Sequence, residues 1–122
     1  MNHLTTSEFK EQIFDFDANK DFVFKGDKIT IVDFYADWCQ PCKMLTPILE
    51  ELDKENEDVD FFKVDTEAEQ DLSRVFGIRS IPTLLFIPVK GKPIMTMGAL
   101  PKEKFTEIIE KLKSGEDLES EI

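Results

Sequence analysis

Residues 29–36, Ile-Thr-Ile-Val-Asp-Phe-Tyr-Ala, form a run of β-branched and aromatic side chains that ends just short of Cys39 and Cys42, the only cysteines in the chain. Such a run lacks the alternation of a half-exposed strand, so it reads as a fully buried one that needs cover on both faces. A Cys-x-x-Cys delivered from the end of a buried strand into the start of a helix is a layout for thiol–disulfide exchange. The first sulfur then meets the unpaired amides and positive dipole end of the helix, which favour its thiolate. The second lies one turn further in, within reach to close a disulfide.

A chain of 122 residues is expected to bury roughly two-thirds of its unfolded surface in one domain. Residues 1–113 are assigned to that domain and 114–122 to an acidic, frayed tail. Two cysteines so close in sequence close too small a loop to stabilise a fold much, so their pairing points to reactivity. The formal charge of −11 argues against a nucleic-acid partner, because phosphates would be repelled. Met1 to Glu8 lack a basic start followed by an apolar stretch, so no signal peptide is expected, and no apolar run is long enough for a membrane span. Cytoplasmic residence follows, or the periplasm or secretion if an export signal has been trimmed away.

The first helix is expected to start at Thr5, with Glu8 completing a capping box and Phe9, Ile13 and Phe14 facing inward. A short strand over 21–25 precedes the turn at Gly26-Asp27. Behind the cysteines, Met44, Leu45, Ile48, Leu49 and Leu52 recur on one helical face, with a kink expected at Pro47. Strands follow at 59–64, 83–87 and 93–97, with helices at 67–76, ended by Gly77, and after Pro101, burying Phe105, Ile108, Ile109 and Leu112. This order makes an α/β fold, a mixed sheet with helices on both faces.

Cys39 is the candidate nucleophile and Cys42 the candidate resolving thiol. A zinc knuckle would need about four ligands, whereas the chain offers two Cys and one His, at position 3 and expected to be an exposed terminal side chain. Between the thiols, Pro41 stiffens the first turn without leaving an amide unpaired, and Gln40 bears on the redox potential. Asp33 and Lys63 are the polar exceptions in adjacent apolar strands. Two readings stand: a proton-transfer carboxyl with an elevated pKa, moderated by Lys63, or a structural ion pair. Ile81-Pro82 is either a cis bond presenting main chain to an extended substrate or an ordinary turn proline.

The segment Val32-Asp33-Phe34-Tyr35-Ala36-Asp37-Trp38-Cys39-Gln40-Pro41-Cys42-Lys43 closely resembles the active-site segment of thioredoxins. Pro47, Lys63-Val64-Asp65, the stretch from Phe76 to Thr83 and Gly98-Ala99-Leu100 match in family order, so the resemblance spans roughly 29–112. It implies the thioredoxin fold, a redox-active Cys39–Cys42 disulfide, Asp33 as buried proton-transfer residue, and a cis Pro82 against the thiols. It also implies a substrate surface of Trp38, Ile81, Pro82 and Gly98, with Gln40, Pro41 and Lys63 in support. Gln40 departs from the usual Gly, and Tyr35 from the frequent Trp.

The resemblance further implies a protein-disulfide reductase, a monomer that binds no cofactor or metal. Its partners would be disulfide-containing client proteins and a separate NADPH-dependent flavin enzyme, thioredoxin reductase, that recharges it. Two alternatives are an oxidase or isomerase tuned by Gln40 and a non-enzymatic binding or chaperone module.

Overall fold

The computed structural model describes residues 1–115. Nine elements follow one another: β1 (Asn2–His3), α1 (Thr6–Gln12), β2 (Ile29–Tyr35), α2 (Gln40–Glu55), β3 (Val59–Asp65), α3 (Gln70–Val75), β4 (Thr83–Ile87), β5 (Ile94–Met97) and α4 (Lys102–Ser114). The strands make one mixed sheet in the order β1-β3-β2-β4-β5. β2 is parallel to β3 and antiparallel to β4, and every one of its residues is buried.

Alternation along β2 divides the core. Ile29 and Ile31 join Leu45, Leu49 and Leu52 of α2 and Phe105, Ile108 and Ile109 of α4 on one face. Val32 and Phe34 join Phe9 of α1 and Leu72 of α3 on the other. Both faces of β2 are therefore covered, as its composition requires.

The capping box at α1 forms as expected, with Thr5 Oγ1 accepting from the Glu8 amide and Glu8 Oε1 from the Thr5 amide. Other expectations are corrected. No strand forms over 21–25; Phe22 and Phe24 instead pack against the α1 side of the sheet, with Phe22 4.7 Å from Phe14, and Lys25 donates one backbone bond to Ile13. Ring packing there satisfies the apolar pattern without a ladder. α3 begins three residues late because Asp65 Oδ1 accepts from the amides of Glu67 and Ala68, holding them in a turn.

Met44 is exposed rather than buried, since the inward stripe of α2 is Cys42, Leu45, Leu49 and Leu52. α2 continues as one helix through Pro47, whose missing N–H leaves the Lys43 carbonyl without its helical donor. The short strand β1, which no periodicity announces, is parallel to β3 at the sheet edge. Ser114 ends α4, with Gly115 as its left-handed cap at φ 79°; the rest of the expected tail lies outside the described residues.

Candidate active site

β2 ends at Tyr35, and the chain turns through Ala36, whose carbonyl accepts from the Cys39 amide at 3.1 Å. Cys39 is the N-cap of α2, with an extended backbone (φ −84°, ψ 109°) and a side chain that does the capping: its Sγ accepts from the Cys42 amide at 3.3 Å. A sulfur in that place sits among unpaired helix amides at the positive end of the dipole, which stabilise negative charge on it. Cys42, one turn inside, is disulfide-bonded to Cys39, with the two Cα atoms 5.3 Å apart. Both sulfur residues are nearly buried, and Gln40 and Pro41 between them are exposed.

The wall against the disulfide comes from the segment entering β4. The Ile81–Pro82 peptide bond is cis, and the Ile81 carbonyl oxygen lies 3.8 Å from Cys39 Sγ. Gly98, at φ 93°, donates its amide to the Pro82 carbonyl at 2.7 Å, tying the end of β5 to the same segment. That left-handed backbone is one glycine adopts without strain. Tyr35, Ala36, Cys39 and Cys42 pack together, with Ile81 against them. Trp38, next to Cys39 in the chain, stands 67% exposed, and its indole N–H donates to Glu67 Oε2 at 3.0 Å. The structure thus gathers Trp38, Cys39, Cys42, Ile81, Pro82 and Gly98 at one end of the sheet.

Asp33 is wholly buried on the β2 face that α2 covers, and neither carboxylate oxygen has a hydrogen-bond partner. Burial pushes its pKa from 3.8 up to about 7, against the opposing pull of the Lys63 ammonium. Asp33 and Lys63 are register partners on β2 and β3, but no direct ion pair joins them. The structural-pair reading therefore has no direct bond to support it, and the raised pKa is the one that burial without a partner produces. Lys63 is held instead over the Tyr35 ring, its Nζ 4.5 Å from the ring centroid.

Sequence reasoning missed two supports. Glu67 orients Trp38, and His3 Nε2 is hydrogen-bonded to the Tyr35 hydroxyl at 2.8 Å. His3 is exposed, as expected, yet it is tied to the strand that carries Asp33. Neither pairing has a sequence signal, because each spans about thirty residues and depends on strand placement. Among the described residues no group of three His, Cys, Asp or Glu side chains could hold a metal, and no helix is long and apolar enough to cross a membrane.

Comparison with known proteins agrees with this geometry. The family model for thioredoxin matches residues 1–111. The thioredoxin of Borreliella burgdorferi is 50% identical over 107 residues, covering 87% of this chain and 92% of its own. That of Bacillus subtilis is 41% identical over 88 residues, covering 70% and 84%. The crystal structure of chloroplastic thioredoxin z superposes with a TM-score of 0.79 at 27% identity, over 93% of this chain and 95% of that one.

Proposed function

Since this chain belongs to the thioredoxin family and is a thiol–disulfide oxidoreductase, we propose that it acts as a protein-disulfide reductase, with Cys39 attacking and Cys42 resolving. The Cys39 thiolate attacks one sulfur of a client disulfide; a Cys39–client disulfide forms and the other client sulfur leaves as thiolate. Cys42, deprotonated, then attacks Cys39 Sγ, closing Cys39–Cys42 and releasing the second client thiol. Two electrons and two protons pass to the client. Asp33 takes the Cys42 proton, directly or through water, a role that fits a carboxyl poised near pH 7.

The observation that carries this reading is Cys39 as the helix N-cap, its sulfur receiving the Cys42 amide. Trp38, Ile81, Pro82 and Gly98 form the client platform, where main chain around Ile81 is placed to pair with an extended segment. Gln40 and Pro41 set the relative stability of dithiol and disulfide. The oxidised protein returns to the dithiol through an NADPH-dependent flavin enzyme, thioredoxin reductase. The chain works as a monomer in the cytoplasm, without nucleic acid or membrane. Residues 1–113 are the working domain.

The direction of electron flow is tested by the reduction potential of Cys39–Cys42, equilibrated against a reference dithiol couple. A value near about −270 mV supports a reductase, whereas one between about −180 and −120 mV turns the assignment to oxidation or isomerisation.

A further inference from the structure

The chain contains two arginines, Arg74 and Arg79, and both line one groove beside the reactive disulfide. The groove, about 410 Å³, runs from Trp38 and Ile81 along α3, with half-buried Ile78 among its lining residues. None of the lining residues is a carboxylate. That is notable in a chain with 26 acidic against 15 basic residues. Arg74 contacts Asp71 at 3.1 Å, a pair so exposed on both sides that it contributes little and exchanges readily. Arg79 has no ion-pair or hydrogen-bond partner among the described residues. At the Trp38 end, Glu67 already accepts from the indole N–H.

We infer that this groove is a specificity subsite for an acidic side chain of the client, lying a few residues from the client's reacting cysteine. The inference rests on the reductase reading above and adds to it a preference among clients. Continuity with the site sets the location: Ile81 lines the groove, and its carbonyl is 3.8 Å from Cys39 Sγ. An extended client segment advances about 3.3 Å per residue, so a client held against Ile81 carries its neighbouring side chains along the groove within a few residues of the attacked sulfur. The guanidinium fork matches a carboxylate in two-point contact, which the lysines elsewhere on the surface do not offer. Apolar contact with Trp38 and Ile78 accompanies the charge pairing.

The long-range field of a chain carrying −11 draws basic clients, so the subsite predicts a preference opposite in sign to net charge. The test uses three peptides, each closed by one disulfide and identical except for Glu, Gln or Lys about three positions from the attacked cysteine. The full-length protein is expected to reduce the Glu peptide with a kcat/KM about fivefold above the Lys peptide, the scale of one exposed ion pair. That ratio should shrink toward one as salt screens the contact. In the double variant Arg74→Glu/Arg79→Glu the ratio should invert. Equal rates, or a faster Lys peptide, with the unaltered protein overturn the subsite and leave the reductase reading standing. Failure to reduce any of the three peptides overturns the reductase reading itself.

Discussion

Replacing Asp33 by asparagine removes the one buried carboxyl among the described residues that has no hydrogen-bond partner, and the consequence for stability depends on pH in a calculable way. The folded-state pKa of about 7 exceeds the ordinary 3.8. Below the lower value both folded and unfolded chains hold the proton, and Asp33 contributes no penalty. Between the two values the unfolded chain has released its proton while the folded chain keeps it, so stability falls as pH rises. Above the folded pKa the loss is complete. A displacement of about three pH units corresponds to about 4 kcal/mol in total, of which about 3 kcal/mol accrues between about pH 5 and pH 8.

The asparagine side chain is a near-isostere with no charge to bury, so the Asp33→Asn variant escapes that loss. Denaturant unfolding of both proteins, oxidised, at about pH 5 and about pH 8 should show the variant's advantage growing by about 3 kcal/mol. An advantage that is the same at both pH values would refute the assignment of a raised pKa to Asp33. The same substitution should slow client turnover near neutrality, because an amide cannot take the Cys42 proton.

Three further outcomes are expected. Cys42→Ser should leave Cys39 able to attack but unable to be released, so a covalent client complex should accumulate and be seen by non-reducing electrophoresis; normal turnover would remove Cys42 from the resolving role. Trp38→Ala should raise KM for protein clients while changing stability by less than about 1 kcal/mol, since the indole is 67% exposed; a large loss of stability with unchanged KM would make it a packing residue. Phe105→Ala, deleting a wholly buried ring 6.0 Å from Phe86 in the α2–α4 core, should cost about 3–5 kcal/mol in chemical denaturation. A cost below about 1 kcal/mol would mean that the core closes over the gap.

Much of the scaffold was legible because its signals are local. The apolar run of β2, the helical spacing of α4 and the capping box at Thr5 each depend on neighbours within a turn or two. Met44 misled because helical periodicity gives a face only to about one residue's rotation, and the sheet selected Cys42, Leu45, Leu49 and Leu52. The 21–25 segment misled because alternating phenylalanines suit ring packing on a sheet face as well as pairing within one. The start of α3 was lost to Asp65, whose side chain competes for amides that a helix would otherwise use.

The sequence by itself determined the chemistry: two thiols at helix-start spacing, an acid in a buried strand, and the family to which their order belongs. Only the tertiary structure decided what surrounds them. It left both oxygens of Asp33 without partners, set Lys63 over Tyr35, joined His3 to the Tyr35 hydroxyl, and placed Arg74 and Arg79 in one groove beside Trp38. A motif specifies groups whose relations are fixed by a few bonds of chain. The electrostatic environment of those groups is summed over atoms that only folding brings near, so burial and partnership are properties of the packed sheet.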